Sequence, residues 1–271
     1  MPDPILRYEN VSVSFAGEPA LIDISFEVMA GQTCIIFGAA GSGKSVLLKT
    51  ANGLLKPDRG KIFLFGQEIT KLEEEELFGI RGKVGVLFQE GGLFDSLNIE
   101  DNVSYPLVNR RRAAPMPADQ AHQRVREALR FVELEHTLEK FPSELSGGMR
   151  RRVGIARAMV TEPPLMLYDS PTAGLDPITA NTIIALIIKA RDTKNSTSMI
   201  VSHRSQDGRL MANFRYNPQS GELEAAPPDR NVRESTMFMV FREGRLVFQG
   251  TEDELEGATD EYVSKFKAVK P

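Results

Sequence analysis

Residues 38–45, which decide the fold, read Gly38-Ala39-Ala40-Gly41-Ser42-Gly43-Lys44-Ser45. The apolar run Cys34 to Phe37 precedes them and the segment Ser45 to Leu54 follows, so the sequence predicts a buried strand, a glycine-rich turn and a helix. Glycines let backbone N–H groups approach a dense anion, Lys44 adds a point charge, and the start of the helix adds its dipole. We therefore predict a triphosphate site here, with the Ser45 hydroxyl available to Mg²⁺; the alternative is an ordinary strand–helix turn.

Three further apolar runs each end at a polar residue. Gln89 follows residues 84–88, Asp169 follows residues 165–168, and His203 comes just after residues 199–201. Open parallel sheets bind ligands at the carboxyl ends of their strands. The sequence therefore predicts an α/β fold whose sheet brings these three residues to the phosphate loop.

The composition limits the function classes. The 271 residues suit one large α/β domain or a core with a small lobe, and 41% hydrophobic residues are enough for a core. A net charge of −4 argues against a dedicated nucleic-acid binder, and the single cysteine, Cys34, argues for a reducing compartment without disulfides. Residues 1–4 do not resemble a signal peptide, and no apolar stretch is long enough for a bilayer. We therefore expect a soluble cytoplasmic chain that reaches a membrane only through a partner.

The pattern is helical between residues 91 and 160. Residues 119–133 are rich in charged residues, with apolar residues between them. An apolar stripe at i, i+4, i+7 and i+11 runs through Met149, Val153, Ala156 and Val160. We interpret 91–160 as a helical subdomain inserted into the sheet domain.

The part that follows His203 predicts two hairpins rather than an immediate helix. Residues 213–216 and 222–223 flank a Pro- and Gly-containing turn, and residues 237–241 and 246–248 flank Glu243-Gly244. We assign 205–235 to an atypical hairpin insertion. Further on, Thr251 and Glu254 fit a capping box for one terminal helix that runs through Phe266.

A second glycine signature opens a basic helix. Residues 145–149 read Leu145-Ser146-Gly147-Gly148-Met149, and three arginines follow, Arg150, Arg151 and Arg152. Ser146 is a good helix cap, and the free N–H groups behind it, with positive charge nearby, attract phosphate. The alternative is an ordinary serine-capped helix.

With both signatures in this order, the chain resembles the nucleotide-binding subunits of ABC transporters from about Leu6 to Phe266. The resemblance implies a P-loop NTPase core with a mostly parallel sheet, an antiparallel β subdomain and an inserted helical subdomain. Residues 1–271 would form one ABC ATPase domain, with the sheet core and β subdomain at 1–90 and 161–271 and the helical subdomain at 91–160. The resemblance also implies ATP and Mg²⁺ as cofactors, and a head-to-tail homodimer in which each ATP contacts both copies.

The resemblance assigns roles to individual residues. The loop from Gly38 through Ser45 and Val46 would hold the phosphates, with Ser45, Gln89 and Asp169 at the Mg²⁺ ion. Gln89 would also sense the attacking water, and His203 would contact the γ-phosphate. Ser146, Gly147 and Gly148 would reach the γ-phosphate held by the partner, and Asp176 would link the two sites. From the residues alone, Gln89 also fits an exposed loop, Asp169 a turn or helix cap, and His203 a structural role.

An aromatic side chain usually stacks on the base in this family. Phe15, just before the turn Ala16-Gly17, is the candidate, and Tyr8 is a weaker second one. A core position is the alternative for Phe15, because phenylalanine is among the residues most often buried.

One position departs from the family pattern. Where the family usually reads Asp-Glu-Pro, this chain reads Asp169-Ser170-Pro171, and we place Ser170 at the catalytic position with Gln89, Asp169 and His203. A serine hydroxyl cannot act as a base near neutral pH, and general-base assistance is worth about 10² to 10⁴ in rate. Three explanations stay open: a natural slow ATPase, another group as the base, or an engineered change that traps ATP.

The stretch 89–107, together with residues 174–179, resembles the ATPase subunits of MCE-type phospholipid transporters, the MlaF-like members of the Mla group. This implies lipid as cargo, an integral-membrane permease (MlaE-like) and an MCE-domain protein as partners, no nucleic acid, and a place on the cytoplasmic face of a bacterial inner membrane. Leu93, Phe94, Leu97 and Ile99 would line the groove for the permease, unless they belong to the core. Residues Arg110–Arg112 indicate either a solvated charge run or a contact with anionic lipid headgroups.

Other functions stay open. Another cargo, such as amino acids or efflux substrates, fits the same motifs, and Ser170 alone supports a hydrolysis-deficient regulatory nucleotide-binding subunit. A soluble ABC-type ATPase of DNA repair or translation fits less well, because such proteins usually carry two cassettes or long coiled coils.

Overall fold

A computed structural model describes residues 3–109, 115–226 and 235–267. Within these residues the chain forms three β-sheets surrounded by helices. The strands are β1 (Leu6–Phe15), β2 (Glu18–Val28), β3 (Thr33–Gly38), β4 (Arg59–Leu64), β5 (Gln67–Glu68), β6 (Val84–Leu87), β7 (Leu165–Asp169), β8 (Thr197–Val201), β9 (Phe214–Asn217), β10 (Glu222–Ala225), β11 (Thr236–Arg242) and β12 (Arg245–Gly250). The α-helices are α1 (Lys44–Ala51), α2 (Glu74–Arg81), α3 (Ile99–Val108), α4 (Ala118–Phe131), α5 (Gly147–Met159), α6 (Pro177–Lys194), α7 (Ser205–Asn213), α8 (Glu252–Gly257) and α9 (Glu261–Ser264).

The central sheet has six strands in the order β12-β11-β3-β8-β7-β6. The five strands from β11 to β6 are parallel, and β12 pairs antiparallel at the edge. Val201 pairs with both Ile36 and Asp169, and Leu87 pairs with Tyr168, so the carboxyl ends of β3, β8, β7 and β6 meet at one edge. The predicted mostly parallel sheet, with its polar residues at one edge, is therefore confirmed.

The second sheet is antiparallel, in the order β2-β1-β4-β5. Its inward side chains join those of α1 and one face of β3 in a common apolar core, which includes Val11, Ile24 and Leu47. The antiparallel β subdomain predicted from the resemblance is present.

Helices α3, α4 and α5 lie between β6 and β7 in the chain and pack on one another. In α5 the predicted stripe faces the core, since Val153, Ala156 and Val160 are buried and Met149 packs against them half-buried. The arginine run 110–112 lies outside the described residues. Across the described part of the chain, no helix combines the length and the apolar character that crossing a bilayer requires.

The region after His203 begins with a helix, so the prediction of no immediate helix is wrong. Helix α7 contains Gly208, a residue that lowers helix propensity, and its apolar residues are confined to Leu210, Met211 and Ala212. A Cβ at Gly208 would lie 2.7 Å from the ring of Phe238 and 3.0 Å from that of Phe37. The glycine therefore lets the helix approach the central sheet closely. The predicted hairpin follows as β9 and β10, a separate two-stranded sheet that contacts α6.

The chain after β12 forms two short helices, where one was predicted. The capping box at Thr251 and Glu254 is present, with the Thr251 N–H donating to Glu254 Oε2 over 2.7 Å. However, α8 ends at Gly257, and Asp260 caps a new helix by accepting the N–H groups of Tyr262 and Val263, both over 2.9 Å. A second cap thus starts a separate helix, α9.

Candidate functional site

The loop between β3 and α1 has the backbone of a phosphate site. Gly41 and Gly43 have φ angles of 76° and 98°, which other residues rarely adopt. A Cβ at Gly43 would lie 2.4 Å from the carbonyl oxygen of Ala20 in β2, whereas one at Gly41 would enter open space. Gly43 therefore lets the loop pack against the antiparallel sheet, whereas Gly41 is required by its backbone conformation and not by lack of space.

Lys44 is held inside this loop and is only 5% exposed. Its Nζ donates to the carbonyl oxygens of Gly38 and Ala39, over 2.8 and 2.7 Å, and to Ser42 Oγ over 3.1 Å. Burial lowers the pKa of the Lys44 ammonium, and the nearby Asp169 carboxylate partly offsets this. A positive charge surrounded by neutral oxygens can bind an incoming anion strongly.

The edge of the central sheet gathers the other predicted residues. Burial and the charge of Lys44 lower the pKa of His203, and Asp169 opposes that change, so these three side chains interact with one another. Gln89 follows β6 at the neighbouring position and is exposed. The structure thus brings Lys44, Asp169, His203 and Gln89 to one edge, while their individual roles stay predictions.

The donor set fits Mg²⁺ in a limited way. Among the described residues, no group of three or more histidine, cysteine, aspartate or glutamate side chains could hold a metal ion. Ser45 is exposed at the start of α1, and Asp169 is half-buried. One hydroxyl and one carboxylate suit Mg²⁺, which usually keeps waters and takes its remaining ligands from a nucleotide's phosphates.

Ser170 is buried against Asp169. It has a φ of 51° and is 5% exposed, its N–H donates to Val201 over 3.0 Å, and its hydroxyl donates to Asp169 Oδ1 over 3.2 Å. This hydroxyl is oriented by the carboxylate beside it. It supplies no base to the site.

Arg151 has a role that the sequence reasoning missed. It was grouped with Arg150 and Arg152 as positive charge near a helix start, but its guanidinium is buried and bonded to carbonyl oxygens after β7. The bonds reach Ser170 over 3.0 Å, Pro171 over 2.8 Å and Ala173 over 2.9 Å. Arg151 therefore anchors the loop that carries Ser170 to helix α5. No short-range pattern could have revealed this contact.

Asp207 is a second residue that was missed. This fully buried carboxylate accepts hydrogen bonds from Thr172 Oγ1 over 2.6 Å and from Ser202 Oγ over 2.7 Å, with Arg204 3.4 Å away. Burial raises its pKa, and the two hydroxyl donors partly offset the rise. Asp207 thus ties the loop after β7 to the segment that carries His203.

The second glycine signature forms its own cluster with the start of α6. Ser146 Oγ accepts the Met149 N–H over 3.2 Å, so the predicted cap exists. Asp176 caps α6 by accepting the N–H groups of Ile178 and Thr179. A Cβ at Gly148 would lie 2.5 Å from the Thr179 side chain, so the two helix starts are in contact.

The aromatic prediction for Tyr8 and the groove prediction for Ile99 need correction, while the prediction for Phe15 stays open. Phe15 is 49% exposed, which rules out the core alternative and leaves base stacking as a prediction. Tyr8 is buried, with its hydroxyl bonded to Leu47 and Thr50, so it is wrong as a stacking candidate. Ile99 is fully buried and belongs to the core, whereas Phe94 is 42% exposed.

The comparisons with known proteins agree with this geometry. A family model described as ABC transporter matches residues 21–173, more than half of the chain. The methionine import ATP-binding protein MetN of Corynebacterium jeikeium is 39% identical over 222 residues, which are 82% of this chain and 57% of that protein. The intermembrane phospholipid transport system ATP-binding protein MlaF of Haemophilus influenzae is 34% identical over 216 residues, 80% of this chain and 81% of that protein.

One solved structure extends the comparison to three dimensions. The dimeric structure of a post-hydrolysis state of the ATP-binding cassette MJ0796 bound to ADP and Pi matches with a TM-score of 0.76 and 28% identity, over 91% of this chain and 98% of that one. The chain spans little more than half the length of the first curated relatives it matches. The family in question uses ATP with Mg²⁺. The chain belongs to the ABC transporter family, as an ATPase (nucleotide-binding) domain of that family.

Proposed function

We propose that the chain binds and hydrolyses ATP and couples this cycle to the movement of phospholipid through a membrane permease. The observation that carries the nucleotide part is the buried Lys44, held by three oxygens inside a loop in which Gly41 and Gly43 have positive φ angles. The cargo part rests on the likeness to MlaF, which extends over most of both chains.

The phosphate loop would bind the triphosphate through backbone N–H groups between Ala40 and Val46 and through Lys44 Nζ. Ser45 and Asp169, with Gln89 beside them, would hold Mg²⁺, whose charge neutralises phosphate oxygens. Burial and the charge of Lys44 lower the pKa of His203, and its imidazole would offer a hydrogen bond to the γ-phosphate.

Hydrolysis would be slow because Ser170 offers no base. Its hydroxyl donates to Asp169, and phosphoryl transfer would depend on positioning and on charge stabilisation alone. We propose that another carboxylate or bulk water takes up the proton. Slow turnover would lengthen the ATP-bound state of the complex.

A homodimer would complete the site. The second cluster, at the starts of α5 and α6, presents free N–H groups behind Ser146. In a head-to-tail pair these groups would face the γ-phosphate held by the other copy. The dimeric form of the matching cassette structure supports this arrangement.

An exposed aromatic patch supports the proposal of a membrane partner. The patch consists of Phe88, Phe94 and Tyr105, each more than 40% exposed, with the last two rings 4.8 Å apart and Arg157 above Phe94. Apolar groups grouped on a surface usually mark an interface. We propose that a permease on the cytoplasmic face of a bacterial inner membrane covers it, and that an MCE-domain protein completes the complex.

The second candidate is transport of another cargo, because the sequence identity of this chain to MetN is higher than its identity to MlaF. The nucleotide chemistry would be the same for either cargo. Only the surface that contacts the permease would differ.

The test is to purify the chain with its membrane partners from its native host, identify bound lipid by mass spectrometry, and measure MgATP turnover in the same preparation. The proposal expects copurified phospholipid and turnover that Lys44→Ala abolishes. Turnover without lipid, in a complex that instead binds methionine or another small solute, would leave the nucleotide function intact and overturn the lipid cargo.

A further inference from the structure

The phosphate loop is held from outside by the C-terminal part of the chain. Tyr262, at the second position of helix α9, lies 223 residues from Ala39 in sequence. Its hydroxyl oxygen accepts the Ala39 N–H over 3.0 Å, and its O–H donates to the Phe241 carbonyl oxygen over 3.0 Å. One hydroxyl can make both bonds at once. It therefore joins the phosphate loop to the end of β11.

The peptide that Tyr262 holds is also the one that holds Lys44. The Ala39 N–H and the Gly38 carbonyl belong to the same planar peptide group, and in a trans peptide they point in opposite directions. Lys44 Nζ donates to that Gly38 carbonyl over 2.8 Å. One side of the peptide is thus fixed by the tyrosine and the other by the lysine. If the tyrosine bond is lost, the lysine has a less rigid anchor.

Tyr262 is itself firmly placed. Its ring contacts that of Phe266 edge-on, with centroids 5.4 Å apart, and Phe266 stacks on Phe37 of β3, with centroids 5.7 Å apart and planes 9° from parallel. Asp260 caps the helix that carries the tyrosine, and Val263 is buried. The hydroxyl is therefore held in position by packing and by the cap, before any ligand arrives.

We propose that Tyr262 is a positioning residue of the nucleotide site, which orders the Gly38–Ala39 peptide and thereby sets the affinity of Lys44 for the phosphates of ATP and ADP. The inference rests on the proposed nucleotide binding at this loop. It adds a residue that lies outside both glycine signatures, on a helix that no sequence motif links to the nucleotide site. Burial of the Lys44 ammonium makes its energy sensitive to the orientation of nearby carbonyls.

The test removes one oxygen. Tyr262→Phe keeps the ring and its packing, and deletes the hydrogen bonds to Ala39 and Phe241. Because a hydrogen bond contributes about 0.5 to 1.5 kcal/mol, which converts to roughly a 2- to 13-fold change, we expect the Kd values of ATP and ADP to rise at least twofold by calorimetry. The kcat of the assembled complex should stay within twofold, since the tyrosine does not contact the reacting atoms.

Tyr8→Phe is the matched control. It also deletes a tyrosine hydroxyl with two partners, Leu47 O and Thr50 Oγ1, both at 2.9 Å, but these lie in α1 beyond the phosphate loop. We expect this variant to lower Tm and to leave the Kd of ATP within twofold. A change in Kd for Tyr262→Phe below twofold, or an equal change in Tyr8→Phe, overturns the proposal.

A measurement on the unmodified protein keeps the proposal testable if the variant folds poorly. Hydrogen exchange without nucleotide should show the Ala39 amide protected, because it is bonded to Tyr262 although the residue is exposed. Free exchange of that amide would refute the inference directly. If the unmodified protein binds no MgATP at all, the proposed function fails instead, and the two failures are distinguishable.

Discussion

Arg151 makes a quantitative prediction about how the catalytic loop is held. Its guanidinium donates to the carbonyl oxygens of Ser170, Pro171 and Ala173 over 2.8 to 3.0 Å, from a residue that is 7% exposed. Each hydrogen bond to a charged group contributes about 1.5 to 3 kcal/mol. Desolvation of the buried guanidinium costs several kcal/mol and offsets much of the sum. We expect Arg151→Ala to lower the free energy of unfolding by about 2 to 4 kcal/mol.

Arg152→Ala is the control on the same helix. Arg152 makes one 3.3 Å bond to Val132 and lies 4.0 Å from Glu133, which is exposed. A pair of this kind contributes less than about 1 kcal/mol. The free energy of unfolding of Arg151→Lys should lie between those of Arg151→Ala and Arg152→Ala, because an ammonium cannot bond to three carbonyls arranged for a planar guanidinium.

The assay is urea unfolding, followed by circular dichroism with the slope held common to all variants. ATP turnover measured beside it should fall in Arg151→Ala even well below its unfolding midpoint, because the loop carries Ser170 and directly follows Asp169. The reasoning is refuted if Arg151→Ala and Arg152→Ala have the same free energy of unfolding within about 0.5 kcal/mol.

Three further predictions concern single positions in the site. Ser170→Glu should raise ATP turnover of the assembled complex by about 10² or more by restoring a base, while Ser170→Ala stays at the unmodified rate; equal rates in all three would count against Ser170 as the limiting position. Gly41→Ala and Gly43→Ala should both lose ATP binding, but only the second adds a 2.4 Å clash with Ala20 to its backbone strain, so its Tm should fall further, and equal Tm values would contradict this. The raised pKa of Asp207 means that the folded state binds its proton more readily than the unfolded state, so the unfolding free energy falls as pH rises through the window above the ordinary value of 3.8. Asp207→Asn keeps an acceptor for both hydroxyls and lacks this pH dependence. Urea unfolding should therefore show that the free energy of unfolding of the variant, relative to that of the unmodified protein, is higher at pH 7.5 than at pH 4.5. The same difference in unfolding free energy at both pH values would refute the assignment.

The sequence predicted those parts of the molecule that local pattern determines. The four buried strands, the glycine loop and the Ser146 cap each depend on residues within a few positions of one another, and all are present. Helix α7 was missed because its interior glycine lowers helix propensity, although close packing against the sheet requires that glycine. Tertiary contact decided the structure there, against the local signal.

The contacts that organise the site join distant parts of the chain. Arg151 reaches the loop after β7, Asp207 connects that loop to Ser202, and Tyr262 reaches Ala39. In sequence these residues are an arginine in a basic run, an aspartate in a polar helix and a tyrosine near the C-terminal end. Their partners Ser170, Thr172 and Ala39 lie 19, 35 and 223 residues away in sequence, so only the folded structure reveals what they hold.

The central claim is that each ATP lies between the phosphate loop of one copy and the Ser146–Gly148 cluster of another. The most direct measurement is disulfide crosslinking of a chain that carries both Ala40→Cys and Gly147→Cys. Ala40 is exposed, and a Cβ at Gly147 would meet only Leu175, at 3.9 Å. The native Cys34 is fully buried, and burial raises its pKa to about 12, so it stays unreactive.

With MgATP, the account predicts a covalent dimer of the doubly substituted chain, and none without nucleotide or from either single variant. Absence of that dimer, in a protein shown by calorimetry to have bound ATP, would contradict the account.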